Sequence, residues 1–230
     1  PSFNATRSAV LDFPLPKVPV MVIISFFITY AIIPRMDAQT FVFFGMVGSG
    51  KGTQVKLLMD YIKAKTGGES VYAGTGEGFR ALAESSTYVG ELLKEKMNRG
   101  ELIDDFFVNS IIANILSSDI SPDKHLVVDG YPRTIDQSKV FEQMVQFFKR
   151  KIVKIIFIDV SREEVMKRNL KRGRHDDTEE GLSKRIDIYF KDVVPAMQFF
   201  ENKENYKIYK INGEQTIEKV HADIINALNL

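Results

Sequence analysis

Residues Gly45–Thr53 read GMVGSGKGT, directly after an apolar run, Thr40–Phe44 (TFVFF), and before a helix-like stretch, Gln54–Lys65. A strand, a glycine-rich turn and a helix in that order form a loop that can cradle phosphate. Glycines let the backbone curl so that its N–H groups point inward at phosphate oxygens. The helix N-terminus adds partial positive charge, and Lys51 supplies a full one. The usual pattern sets Ser or Thr right after the lysine; here Gly52 intervenes and Thr53 follows, a variant of it. A glycine-rich turn alone could be an ordinary loop. The Gly, Lys and Thr spacing between strand and helix makes nucleotide phosphate the expected ligand, with Gly48, Ser49, Gly50, Lys51, Gly52 and Thr53 around it.

Outward from the loop, apolar runs of β type alternate with helical patterns. The strand candidates are Thr40–Phe44, Glu69–Ala73, His125–Asp129, Ile152–Val160 and Tyr206–Ile211, and a final helix is expected from about Thr216 to Leu228. Such alternation predicts an α/β fold, a mostly parallel sheet with helices on both faces. Ligands then bind beyond the C-terminal ends of the strands, where the glycine-rich turn sits. Two segments break the rhythm. Gly76–Asp105 is too long for a simple connection and reads as a small helical excursion. Lys167–Asp177 (KRNLKRGRHDD) is a basic run turning acidic, expected between two helices.

The chain has 230 residues, 44% of them hydrophobic, which suits one large α/β domain with a small insert or two small domains. Its net charge of +1 gives no global attraction to nucleic acid or anionic membrane. With no cysteine, disulfides, thiol catalysis and cysteine-ligated zinc are excluded, and a reducing compartment fits. Residues 1–35 differ from the rest. Val20–Ile33 is a charge-free run of 14 residues between Pro19 and Pro34, short of the roughly 20 needed to span a bilayer. Lys17 and Arg35 flank it poorly for a signal peptide. Met36 stands just before the first core strand. The expectation is an extension outside the fold or a misassigned start, with a membrane anchor, an uncleaved signal or an added packed element as alternatives.

A second chemical signal closes the strand Val127-Val128-Asp129, followed by Gly130-Tyr131-Pro132-Arg133-Thr134. A carboxylate there falls beside the phosphate loop, where it can hold the hydration shell of Mg²⁺. A helix cap or turn former is the plain alternative for Asp129. Pro132 stiffens the turn, and Arg133 can fork onto a phosphate.

GMVGSGKGTQ (45–54), TGEGFR (75–80), DGYPRTIDQ (129–137), the 167–177 run and KRIDIY (184–189) occur in that order. In this the chain resembles the adenylate kinases, of the short-lid type, from Met36 to the C-terminus. The resemblance implies a P-loop fold in three layers, a five-stranded parallel sheet, an AMP-binding insert at about 76–105 and a very short lid at about 172–177. It implies transfer of the terminal phosphoryl of Mg-ATP to AMP, giving two ADP, in a cytoplasmic monomer without zinc. By the same resemblance Lys51 and the loop amides hold the donor phosphates, and Thr53 and Asp129 lie near Mg²⁺. Arg80 and Arg133 match the AMP-phosphate arginines. Arg168, Arg172, Arg174 and Arg185 match those that close on ATP and the transferring group, with Asp176 and Asp177 orienting them or capping the next helix. Arg168 and the turn Gly213–Gln215, Gln215 included, match the donor-base platform. Thr75, Gly130 and Gln137 match the adenine-recognition positions, with Met97, Ile103 and Phe79 as the apolar wall and Glu101 beside them.

Physical chemistry fits that reading. An acceptor phosphate oxygen is already ionised at neutral pH, so no general base is required. None of the three histidines (His125, His175, His221) stands in a triad-like setting. The obstacle is repulsion: at an effective dielectric near 20, two like unit charges about 4 Å apart cost on the order of 4 kcal/mol. Converging cations offset it. A Gln amide can meet both polar atoms on one edge of adenine. Pyrimidine-specific relatives usually carry Asn at the position of Gln137. Three departures stand out. Glu77-Gly78 replaces the commoner Asp and large apolar residue, only Gly173 separates Arg172 from Arg174, and 1–35 has no counterpart. A UMP/CMP or broad monophosphate kinase, and a membrane-tethered nucleotide-binding module without turnover, remain the alternatives.

Overall fold

The computed structural model describes residues 37–173 and 178–230. The expectations for 1–35 and for Arg174, Asp176 and Asp177 lie outside the described residues, as does most of the 172–177 lid. Five strands form one parallel sheet: β1 (Thr40–Phe44), β2 (Ser70–Gly74), β3 (His125–Asp129), β4 (Val153–Asp159) and β5 (Tyr206–Asn212). Their spatial order is β2-β3-β1-β4-β5, and every neighbouring pair is parallel. β1 therefore lies at the centre, which is why all five of its residues are buried and its sequence is an unbroken run of apolar side chains after Thr40.

Strand side chains alternate between the two faces. Val42 and Phe44 of β1 join Leu126 and Val128 of β3 and Val153 and Ile155 of β4 in one core cluster. Phe41 and Phe43 join Val127, Ile156 and Ile158 in the other. Each cluster is closed by helices. α1 (Lys51–Thr66) contributes Val55, Leu58 and Ile62 to the second, together with Val220, Ile224 and Leu228 of a helix at the chain's C-terminal end. The helices between are α2 (Gly76–Ala83), α3 (Tyr88–Asn98), α4 (Asp105–Asp119), α5 (Ile135–Phe147), α6 (Arg162–Arg172), α7 (Glu179–Ile188) and α8 (Val194–Gln198), with α9 spanning Ile217–Leu228. A π-helical turn, Tyr189–Val193, joins α7 to α8. No helix of the described residues is long and apolar enough to cross a membrane.

The sheet register sets the ends of the strands level. Phe43 pairs with Asp129, and Asp129 with Gly74, so the segments leaving β1, β3 and β2 open on one edge. Two helices, α2 and α3, occupy 76–98. Three strands differ by one residue at an end: β2 runs Ser70–Gly74 rather than Glu69–Ala73, β4 Val153–Asp159 rather than Ile152–Val160, and β5 ends at Asn212 rather than Ile211. Two further differences bear on the site. α1 begins at Lys51 rather than Gln54, because Gly50 adopts a left-handed conformation (φ 95°) and lets the helix start one residue later. Lys167–Arg172 is not an inter-helical loop: it forms the last two turns of α6, which ends on the left-handed Gly173 (φ 66°). The apolar–polar spacing there suits a helix, and its basic end opposes the helix dipole favourably.

Candidate active site

The loop 45–50 turns sharply between β1 and α1, with Ser49 N–H donating to the Met46 carbonyl at 3.1 Å. Gly48 has φ +79°, and a Cβ on it would collide with the side-chain amide of Asn169. That asparagine, fully buried on α6, donates from Nδ2 to the Val47 carbonyl at 2.9 Å and to the Val165 carbonyl at 2.7 Å. The glycine is thus required by a contact as well as by its backbone angle, and helix α6 is tied directly to the loop. The first turn of α1 carries neither an acidic residue nor a side-chain cap, so its N–H groups and dipole meet the cleft unopposed. Lys51 folds back over the loop, its Nζ donating to the Gly45 carbonyl at 2.7 Å and the Met46 carbonyl at 2.9 Å.

A cleft of about 1330 Å³ opens at the C-terminal ends of β1 and β3. Lys51, Asp129, Arg133, Arg80, Arg172 and Arg185 all face it. Their charges act on one another. Burial draws the Lys51 ammonium down to about 8 from its ordinary 10.5; Asp129 works against that shift, while Arg133 and Arg172 add to it. Burial likewise lowers Arg133, countered by Asp129 and reinforced by Arg80 and Arg185. Arg133 Nε donates to the Gly130 carbonyl at 2.7 Å, which holds the guanidinium over its own turn. A bond from the Tyr72 hydroxyl to Asp129 Oδ2 is long, at 3.4 Å. Gly74 makes room for it, since a Cβ there would run into the Tyr72 ring. Burial and the Asp129 charge push the Tyr72 phenol up to about 12, so it stays a donor.

One wall of the cleft is built from the turn after β3 and the start of α4. Thr134 caps α5 by accepting the Gln137 N–H at 3.1 Å, and its hydroxyl donates to Asp105 Oδ2 at 2.8 Å. Gln137, 1% exposed, accepts the Arg133 N–H on Oε1 at 2.7 Å and donates from Nε2 to Asp105 Oδ1 at 2.8 Å. Tyr131 ties the same turn to α4 through its hydroxyl, which donates to Asn109 Oδ1 at 2.7 Å. Phe79, Met97 and Ile103 line this wall while packing into the core. Thr75 is buried beside them at the start of α2, and Glu101 forks onto Arg99 at 2.8 and 3.2 Å on the rim.

The opposite side is a smaller recess shared by Gly48, Gly50, Thr53, Arg168 and Gln215. Ser49 also lines it, its hydroxyl buried without a hydrogen-bond partner. Arg168 is locked by Glu164 at 2.7 Å and by the Gly213 carbonyl at 3.0 Å. The Gln215 amide turns to the Asn212 carbonyl and Asp223, each at 2.9 Å. Of the candidate site residues, Arg174, Asp176 and Asp177 lie outside the described residues. Sequence reasoning missed Asn169, Tyr72 and Asp105. An Asn at an inward position of a basic helix was a usable signal for the first; the other two carried none.

The family model for adenylate kinase matches residues 43–205. The adenylate kinase of Prochlorococcus marinus (strain MIT 9301) is 34% identical over 182 residues, covering 79% of this chain and 94% of the relative. That of Phocaeicola vulgatus is 32% identical over 191 residues, with 81% and 96% covered. The adenylate kinase of Oenococcus oeni is 30% identical over 181 residues, with 78% and 93% covered.

Proposed function

The chain belongs to the adenylate kinase family, and on that premise we propose that it moves the terminal phosphoryl group of Mg-ATP to AMP, reversibly, giving two ADP. One observation carries this reading: Lys51, Arg80, Arg133, Arg172 and Arg185 face one cleft beside an uncapped helix N-terminus. Burying cations together is unfavourable in itself: burial first, and the neighbouring arginines after it, lower Lys51 and Arg133. It becomes favourable when two phosphate chains meet there.

In the proposed assignment the loop Gly48–Thr53, with Lys51, receives the ATP phosphates, and the recess by Arg168 and Gln215 receives the donor base. Arg80 and Arg133 take the AMP phosphate, and Arg172 and Arg185 stand by the transferring group, the role that Arg174, outside the described residues, matches by resemblance. Thr75, Met97, Glu101, Ile103, Gly130 and Gln137 surround the acceptor nucleoside. An AMP phosphate oxygen attacks the γ-phosphorus in line while the bond to the β,γ-bridging oxygen breaks. That bridging oxygen leaves as the terminal oxygen of ADP. The attacking oxygen carries no proton at neutral pH, so the protein's work is alignment and charge compensation. Lys51 and the arginines neutralise the equatorial oxygens, and exclusion of water protects the phosphoryl group from hydrolysis.

Asp129 fits magnesium. Its carboxylate stands at the end of β3 facing the start of α1, where the nearest atom to a Cβ on Gly52 would be its own Oδ2 at 3.9 Å. Asp129 and Thr53 would hold the ion through its water shell, and the ion would supply further neutralisation of the donor phosphates. We infer also that one chain works alone, since both proposed nucleotide sites are composed from its own residues, and that it works in the cytoplasm, which a chain without cysteine suits.

The test is direct. The purified chain is mixed with Mg-ATP and each of AMP, CMP, UMP and GMP, and diphosphate formation is followed. AMP is expected to be the preferred acceptor, and Lys51→Ala to lower turnover by at least a hundredfold. Unchanged ADP formation in Lys51→Ala would end the reading; CMP or UMP turning over as well as AMP would end its specificity.

A further inference from the structure

Gln137 presents an amide to the cleft, and an amide can point either way. Rotating its terminal group by half a turn exchanges carbonyl for NH₂ and reverses which base edge it complements. The neighbours decide the orientation. Oε1 faces the Arg133 N–H at 2.7 Å, a group that only donates. Nε2 faces Asp105 Oδ1 at 2.8 Å, and an ionised carboxylate only accepts. Asp105 is itself aimed, because its other oxygen accepts the Thr134 hydroxyl at 2.8 Å. A flipped amide would set carbonyl against carboxylate and NH₂ against N–H, losing two bonds and adding repulsion in a buried place.

We propose that Asp105 is a positioning residue that locks the polarity of the Gln137 amide, and so makes the acceptor site select bases by hydrogen-bond polarity. This rests on the proposed function, in which Gln137 faces the acceptor base. With one N–H and one carbonyl lone pair left over, the locked amide donates to a ring nitrogen and accepts from an exocyclic amine. Adenine offers that pair. Hypoxanthine has the same outline with the polarity inverted, a protonated ring nitrogen beside a carbonyl, as do guanine and uracil on the matching edge. Cytosine shares adenine's polarity, so the lock does not reject it, and its smaller size has to.

AMP and IMP are therefore the decisive pair. Turnover of each with Mg-ATP is measured as kcat/KM for the wild type, Asp105→Ala, Asp105→Asn and Gln137→Ala, with melting curves for every variant. The wild type is expected to prefer AMP by at least a hundredfold. In Asp105→Ala a flip no longer sets carbonyl against carboxylate and is opposed on the Arg133 side alone, so that preference should shrink by about ten- to a hundredfold, mainly through a better KM for IMP. Asp105→Asn keeps an oxygen facing Nε2 when its own NH₂ turns to the Thr134 oxygen, and should hold the preference within about threefold.

A merely structural role for Asp105 would lower both substrates together and leave the ratio alone, which would overturn the proposal. So would a wild type that accepts IMP as readily as AMP, a result that needs no variant to fold. Gln137→Ala separates the two levels of argument. If it leaves the ratio intact, the amide does not face the base and the functional assignment of that wall fails. If it collapses the ratio while Asp105→Ala does not, the assignment stands and the lock alone is wrong.

Discussion

Binding of Mg-ATP at pH 8 should draw protons out of solution, and Lys51 sets how many. In the unliganded cleft its ammonium titrates near 8, because burial and the Arg133 and Arg172 charges disfavour it more than Asp129 favours it. A triphosphate beside Lys51 supplies negative charge at close range and restores the amine at least to its ordinary 10.5. At pH 8 the free protein carries about half a proton on Lys51 and the complex about one, an uptake of about 0.5. At pH 7 the same arithmetic gives about 0.1, and at pH 9 about 0.9. The nucleotide's own last proton, leaving near pH 6, is about nine-tenths gone at pH 7 and absent at pH 8 and 9, which makes pH 8 and 9 the decisive readings.

Calorimetry in buffers of differing ionisation enthalpy reads the uptake directly. Nucleotide affinity should fall with pH above 8, approaching about tenfold per unit and levelling off near 10.5. Lys51→Met, titrated to saturation, should show no pH-dependent uptake. Stability carries the opposite signature. The folded pKa lies below the unfolded one, so between about pH 8 and 10.5 the unfolded chain binds more protons. The unliganded protein should therefore gain stability across that window, and the nucleotide complex should not. Uptake that is flat from pH 7 to 9, or that survives in Lys51→Met, refutes the reasoning.

Gly48→Ala forces a side chain into the Asn169 amide at a left-handed position. It should cost about 1–3 kcal/mol of stability in urea denaturation and weaken Mg-ATP at least tenfold by calorimetry. Phe141, 1% exposed and edge-on to Tyr131 and Phe200, supports the turn after β3 from beneath. Phe141→Ala should lose about 3–5 kcal/mol by denaturant titration. The Tyr72–Asp129 bond is long at 3.4 Å, so Tyr72→Phe should shift the magnesium concentration for half-maximal turnover by less than about threefold. A shift beyond tenfold would mean that the hydroxyl holds the carboxylate far more firmly than its length allows.

The sheet was legible because β1 and β3 are buried on both faces, which leaves an unbroken apolar signature in TFVFF and HLVVD. β5 was harder to read: it is an edge strand whose YKIYKIN carries lysines three apart, out of step with a strand's two-residue period, and its end fell one residue further on. The phosphate loop was legible because Gly48, Gly50 and Lys51 are needed by backbone geometry and charge, constraints that act on single positions. The 167–172 stretch was misread as a connection because its charge density hides the spacing of Val165 and Asn169, the two buried residues of α6. Asp105 was invisible for a different reason. Its partners, Gln137 and Thr134, lie 32 and 29 residues away, and a helix-start aspartate looks the same with or without them.

Two kinds of preparation meet in this cleft, and they answer different demands. Burial and the neighbouring arginines disfavour the charges of Arg133 and Lys51, and Asp129 works against both, so the free protein carries a cost that bound anions relieve. That device attracts phosphate of any kind and says nothing about the base. The Arg133–Gln137–Asp105–Thr134 chain is the reverse: each link is a hydrogen bond made within the protein, and its orientation is fixed before a ligand arrives. A polar group fully satisfied on one side can be read only one way on the other. Arg133 belongs to both systems, its guanidinium facing the cleft and its backbone N–H steering the amide. A phosphate drawn to Arg133 therefore brings its nucleoside to a wall whose polarity the same residue helps to set.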